Sequence, residues 1–441
     1  MADITYNSPY PEYQRDLAVA SLFKFIESAI FILLILMFSG AIIGMTIVNP
    51  EDMNTETPMA RLMWYPPYLI ILGLAVRYIV PLFRITIFVP LLVVCVAICG
   101  ISILWSIDPG ITLRRSVALA ISTLFGLLIA ARYNWNEMVQ RFAFVFAILA
   151  ILTVFVALFM PAKGIMHEIH PGAWRGPWVE KNYLGANMTR GLVVMMCAFA
   201  MRPSRGWIWV PMGLLCFALV LMSTSKTALL ASLMSIGLFL VIRVFRRFPF
   251  LRIPVMYFFV AGISGFLFCM FVIPEAMLEL IGKDPTLTGR TDIWDLLIMS
   301  IKEKPLLGYG YGVYWQDPLG PSYWVRTALE WGVPSAHNGW IETWLSVGAV
   351  VVGLFALHFL ITLLLALDRI KNGGVETYWV VLSTLVFLGV SMSESMILAQ
   401  NDLSWVIFVA TSAKLFARDK PFWRDKSGKN LLDRRGTTRP G

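Results

Sequence analysis

The sequence predicts an all-α polytopic membrane protein with about twelve transmembrane helices and one large loop holding short interfacial helices. Three observations carry this. Of 441 residues, 58% are apolar and only 14% charged, against roughly 25% charged in soluble proteins. Mean hydropathy is +0.73. Apolar runs of about 20 residues recur along the chain, each long enough to cross a hydrocarbon core of about 30 Å. In lipid, a helix is the element that satisfies its own backbone, so helices are expected at every run.

In order, the runs fall near 27–48, 65–82, 85–105, 111–131, 142–160, 185–201, 207–223, 226–242, 254–273, 338–367, 377–393 and 401–417. Residues before Lys24 are polar and mixed in charge, and the first run is too long for a signal-peptide core, so it is expected to stay as the first span. Four stretches follow: a membrane part over 1–273, a polar interval over 274–337, the last spans over 338–417 and a basic tail over 418–441.

Orientation follows from lysine and arginine. Arg243, Arg246, Arg247 and Arg252 share one side with Arg369, Lys371 and the tail, which carries Arg418, Lys420, Arg424 and five further basic residues. That side is expected to be the cytoplasm, with both termini on it. The acidic 49–60 segment, the 161–184 loop and the 274–337 loop then face outward. The net charge of +9 is accounted for by these topology anchors touching anionic lipid, and no nucleic-acid partner is expected. Cysteines 95, 99, 197, 216 and 269 lie within apolar runs, which argues against a disulfide framework or a thiolate metal site.

The polar interval is the most informative part of the chain. Ile293, Trp294, Leu297, Ile298 and Ile301 recur with helical spacing, Asp292 and Asp295 stand in the first turn, and Lys302 and Lys304 in the last. Pro305 should end this helix. A second short helix is expected over 322–331, closed by Gly332. Between them lies a glycine-rich connector with Tyr309, Tyr311, Tyr314 and Trp315, either headgroup anchors or a stacking platform for sugars. It lacks the Gly-Lys-Ser/Thr ending of a phosphate loop. The run 338–367 overshoots the membrane core, which should leave His337 at an outward helix N-terminus with Glu342 one turn below Asn338.

Charge near lipid is costly, and basic residues on the outer side run against the orientation bias. Arg114, Arg115, Arg175, Lys181, Lys226 and Arg290 do so, with Arg190 a little deeper. Converging on one face, they would suit a lipid-linked diphosphate, since arginine binds phosphate bidentately and lysine as a point charge. Taken singly, Arg114 or Arg115 could instead snorkel to the headgroups. His337, polar-flanked and ordinarily titrating near pH 6.5, could take a proton from a hydroxyl nucleophile. His358 reads as a packing residue. His167 and His170 are too few to hold a metal.

Gly289-Arg290-x-x-Ile293-Trp294, Pro305-Leu306-Leu307-Gly308-x-Gly310 and His337-Asn338 before a long run resemble the O-antigen ligase/polymerase superfamily (Wzy-type), with the general cast of ExoQ-type proteins. Trp105-Ser106-Ile107-Asp108-Pro109, Lys181-Asn182-x-Leu184-Gly185 and the Ser-x-Ser-Lys-Thr-Ala turn extend the match. The resemblance implies an inner-membrane glycosyltransferase working at the periplasmic face on a glycan carried by undecaprenyl diphosphate, without metal or cofactor. Its partners would be the lipid-linked oligosaccharide donor, a growing glycan acceptor and a chain-length regulator or export protein. Arg290 with Arg175 or Lys181 would hold the diphosphate. His337 would act as base on the acceptor, with Asn338, Lys226, Arg114 and Arg115 around the substrate. Where many relatives carry arginine in the Ser-x-Ser turn, Lys226 keeps the charge and loses the fork. A polymerase, a ligase passing the glycan to another lipid and a lipid-linked sugar transporter are the three functions the pattern leaves open.

Overall fold

The structure, a computed structural model, describes residues 11–46, 58–167, 170–251, 254, 290–317, 319–330 and 332–417. The expected span at 254–273, the first part of the large loop and the basic tail lie outside these residues.

Among the described residues the regular elements are helices, with one isolated antiparallel bridge between Ile165 and Trp174. Among the described residues, eight helices are long and apolar enough to cross a membrane, a ninth crossing is possible as a bent pair, and two shorter apolar helices accompany them. The helices are α1 (Pro11–Phe38), α2 (Ala41–Thr46), α3 (Pro58–Leu62), α4 (Tyr65–Arg77), α5 (Ile79–Thr86), α6 (Pro90–Ile101), α7 (Pro109–Arg132), α8 (Trp135–Phe159), α9 (Pro161–Gly164), α10 (Lys181–Met201), α11 (Gly206–Met222) and α12 (Lys226–Arg247). After the undescribed interval come α13 (Arg290–Glu303), α14 (Tyr323–Leu329), α15 (Gly339–Asn372), α16 (Thr377–Ser391) and α17 (Leu403–Phe416).

Several breaks divide runs that the sequence presents as continuous, and each has a local cause. The first run splits at Ser39–Gly40, where Gly40 takes φ +74° and the Ser39 carbonyl accepts from the Trp178 indole at 2.8 Å. The second splits at Tyr78. Proline at 81 has no N–H for the Arg77 carbonyl four residues back. Pro90 opens α6 after a turn, and α5 meets the α6 segment at 99°. The expected spans at 65–82 and 85–105 are therefore not two straight rods.

The middle of the bundle is α7, α8, α10 and α17. On α17 every residue from Leu403 to Leu415 is buried. Gly126 lets α7 close on it, since a β-carbon there would fall 2.7 Å from Val409 Cβ and 2.9 Å from the Val406 carbonyl. At one end of the bundle, Arg132 pairs with Glu27 at 2.6 Å, and Glu27 also accepts from the Tyr78 hydroxyl at 2.7 Å. Arg141 lies 3.8 Å over the Tyr133 ring. The opposite end carries the irregular segments, which build the candidate site.

Candidate functional site

The site begins with a gap in a helix. In α15 the backbone leaves helical geometry at Gly348 (φ +77°, ψ 179°). The connector after α13 fills the break. Tyr309 and Gly310 donate their N–H groups to the Leu345 and Ser346 carbonyls at 2.8 and 3.0 Å. Ala349 donates to the Pro305 carbonyl at 2.9 Å, and the Trp344 indole to the same oxygen at 2.8 Å. These groups would otherwise lie unsatisfied within a membrane-embedded wall. Both glycines at the contact are needed. A β-carbon on Gly348 would sit 2.0 Å from the Leu306 carbonyl oxygen, and one on Gly308 2.5 Å from that of Leu345. The Pro-Leu-Leu-Gly-Tyr-Gly run is thus a clip fastened into α15. Segment 105–107 fastens its other edge, through the Trp105 indole to Leu307 O at 2.9 Å and Ile107 N to Tyr309 O at 3.1 Å.

Above the clip the large loop has a core of its own. From α13 it takes Ile293, Leu297 and Ile301, while Ile298 of the expected stripe faces outward. Tyr309, Tyr311, Tyr314 and Trp315 are all buried. The Tyr314 hydroxyl pairs with Ser300 at 2.7 Å, and that of Tyr309 donates to Glu303 at 2.7 Å. Tyr311 donates to the Leu398 carbonyl and to Gln400, and burial pushes its phenol well above the ordinary range. The aromatics are therefore neither headgroup anchors nor an open sugar platform. They hold a lid together, and Tyr311 and Trp315 show one edge to the cavity beneath. The short helix α14 ends at Glu330, which takes φ +57°, two residues before the expected glycine.

Beneath the lid lies a cavity of about 610 Å³. Its walls come from the α1–α2 break, the start of α4, the N-terminal parts of α7 and α10, residues 334–337, the first turns of α15 and the irregular segment 394–402. Irregular backbone at this depth is tolerated where it borders such a space. His337 reaches the cavity at φ +47°, between Ser335 and the start of α15. Arg114 and Arg115 line it from α7. Arg115 donates to the Gly312 carbonyl at 2.6 Å, and its Cδ occupies the space a β-carbon on Gly312 would need.

The cluster of cations expected from the sequence divides. Arg175 does not line the cavity. Its guanidinium donates to the carbonyls of Lys163, Ala162 and Val179 and folds the 161–180 loop on itself. Lys181 and Lys226 open α10 and α12 beside that loop, off the cavity wall, with Lys181 donating to the Thr224 hydroxyl at 3.4 Å. Arg290 opens α13, and the place of its side chain lies outside the described structure. Asn338 is a helix cap, its Oδ1 accepting from Trp340 N at 2.9 Å and Ile341 N at 3.2 Å.

Other residues take the vacated places. Arg190, about one turn along α10 from Asn187, lines the cavity with Arg61, and Glu180, Glu342, Glu394 and Asp402 bring carboxylates to it. Burial raises the Glu180 carboxyl above the usual range against the pull of Lys181. Arg190 carried a signal in the sequence, a cation nine residues inside a largely apolar helix. Glu394 and Asp402 did not, because they sit where two spans appear simply to turn.

Residues 211–357 match the family model described as Wzy_C, O-Antigen ligase. That interval includes α12, the clip, the lid, His337 and the first turns of α15. The exopolysaccharide production protein ExoQ of Rhizobium meliloti is 27% identical over 273 residues, which cover 58% of this chain and 60% of that protein. An uncharacterized protein of Haemophilus influenzae is 31% identical over 87 residues, 19% of this chain and 21% of that one. The chain thus spans about three-fifths of the ExoQ protein's length. With the lid clipped to its long helix inside the matched region, the chain is a polytopic membrane protein that is similar over residues 211–357 to the O-antigen ligase family and, at 27% identity, to ExoQ.

Proposed function

We propose that the protein polymerises oligosaccharide repeat units carried on undecaprenyl diphosphate into exopolysaccharide, at the periplasmic face of the inner membrane. One observation carries the reading: a single cavity of about 610 Å³ brings His337 from the lid together with Arg114 and Arg115 from the start of α7 and Arg190 from within α10. The size suits a ligand of several sugar units' breadth. The arginines suit a diphosphate.

The acceptor hydroxyl attacks the anomeric carbon of the donor sugar. A new carbon–oxygen bond forms to the acceptor as the bond to the diphosphate oxygen breaks, which inverts the centre. The hydroxyl proton passes to His337, and the electron pair leaves with undecaprenyl diphosphate. Charge developing on that leaving group is met by fixed guanidinium groups, and the cavity holds the two reactants in line. Diphosphate is already a competent leaving group, so the reaction requires no metal and no cofactor in this scheme. Both termini then face the cytoplasm, and a chain-length regulator or export protein would meet the outer face.

The matched description, O-antigen ligase, supports a second reading, transfer of the glycan to another lipid. Purified protein given a short lipid-linked oligosaccharide separates them. Longer lipid-linked glycans indicate a polymerase; product only on an added lipid acceptor indicates a ligase. Movement across vesicles with no product in either assay would remove the enzyme reading. His337→Ala should abolish product at unchanged protein level, and normal elongation by that variant would take histidine out of the mechanism.

A further inference from the structure

His337 holds a backbone conformation, φ +47°, that an L residue keeps only when its neighbours fix it there. Both neighbours are fixed. On one side Asn338 caps α15 through two backbone N–H groups. On the other, both polar groups of the Ala336 backbone are tied. Its carbonyl accepts from the Trp294 indole at 2.9 Å, and its N–H donates to Glu342 Oε2 at 2.8 Å.

Glu342 does more than receive this one bond. Its two oxygens accept from the Trp315 indole at 3.0 and 3.1 Å, and Oε2 lies 3.5 Å from the Ser395 hydroxyl. One carboxylate therefore joins the lid, the segment leading into His337 and the irregular segment after α16, and all three border the cavity. Every polar group converging on it is a donor, and an ionised carboxylate accepts on both oxygens. Glutamine in the same place would turn an N–H₂ toward one of those donors, whichever way it was flipped.

We propose that Glu342 is a positioning residue that sets the place of the His337 imidazole. It acts through the Ala336 peptide and the edge of the lid. This rests on the reading of His337 as the base. A displacement of about 1 Å at a reacting group can cost about 10²-fold in rate, so the hold is catalytically consequential without contact to the donor.

The test is kinetic and chemical, on full-length protein in detergent or nanodiscs. Glu342→Gln should lower kcat about 10²-fold while KM for the lipid-linked donor changes less than about 2-fold. Glu342→Asp, still a two-oxygen acceptor, should recover at least about tenfold of that loss. A second readout needs no turnover: the rate at which diethyl pyrocarbonate modifies His337, followed by peptide mass spectrometry, should change several-fold in Glu342→Gln and return toward wild type in Glu342→Asp. Wild-type kcat in Glu342→Gln, or a loss confined to KM, would overturn the proposal. If Glu342→Gln does not accumulate, the same readings are taken on Glu342→Asp, with an intermediate loss in kcat expected and wild-type values overturning. Should wild-type protein form no product with any acceptor, the glycosyltransferase reading fails by itself. The modification rate then still decides whether Glu342 holds His337, an unchanged rate meaning that it does not.

Discussion

Replacing Gly348 with alanine should unfasten the lid without unfolding the bundle. The substitution fails on two counts. Glycine at φ +77° gives way to a residue that is strained there, at about 1 kcal/mol or more. The new β-carbon would also lie 2.0 to 2.4 Å from the Leu306 carbonyl and the Leu307 nitrogen. These are backbone atoms, so the clip itself must move. Doing so releases four hydrogen bonds: Tyr309 N to Leu345 O, Gly310 N to Ser346 O, Ala349 N to Pro305 O and the Trp344 indole to Pro305 O. At a net of about 1 kcal/mol each, with the strain, the clipped state loses about 5 kcal/mol against the released one. Amide exchange at Tyr309, Gly310 and Ala349 should therefore speed up by between about three and four orders of magnitude. Protection in α8 and α17 should hold. Hydrogen-exchange mass spectrometry of wild type, Gly348→Ala and Gly389→Ala measures this. A β-carbon on Gly389 meets nothing within 4 Å, so that variant is the control. Exchange at the clip within about threefold of wild type in Gly348→Ala would refute the fastening.

Three further substitutions separate structural cations and caps from those facing the cavity. Asn338→Ala should cost about 1 kcal/mol by loss of the α15 cap, seen in thermal melts, while Asn338→Ser should largely restore it. Arg175→Ala removes a guanidinium from three backbone carbonyls. Stability should fall by about 2 kcal/mol, with KM for a lipid-linked donor near wild type; a rise in KM alone would return Arg175 to the substrate. Arg190→Ala should do the reverse, lowering kcat/KM about 10²-fold at an unchanged melting temperature, and titration with a soluble prenyl diphosphate should show the weakened binding directly.

The helical membrane architecture was legible because apolar runs of spanning length are a direct reading of the solvent that surrounds them. The α13 helix was legible for the same reason in miniature: Ile293, Leu297 and Ile301 repeat at its period, and Pro305 stops it. Charge was harder to read. Arg114, Arg115 and His337 do line the cavity, yet Arg175 sits in the same polar surroundings and turns instead to its own loop. Residue type and approximate depth cannot tell a guanidinium facing a ligand from one facing carbonyls, since both satisfy the same five N–H groups. The tyrosines and tryptophan of the lid were misplaced for a related cause. Aromatic residues at a membrane surface usually face lipid, and only the contacts with Ser300, Glu303 and Glu342 show that these face inward. The break in α15 left almost no mark, one glycine in an apolar run that a straight helix would also accept.

The clip has a consequence for how this part of the chain tolerates change. Its two ends are tied to fixed points: Pro305 O to Ala349 N, and Gly310 N to Ser346 O. The number of residues between those points is thereby set by the wall they attach to. Leu306 and Leu307 are 63% and 47% exposed and offer only backbone to the contact, so other apolar side chains fit there. A deletion of one residue would shift every main-chain pairing out of step, and no side-chain change nearby could repair it. Along 305–310 the protein is intolerant of a change in length where it is permissive of a change in letter.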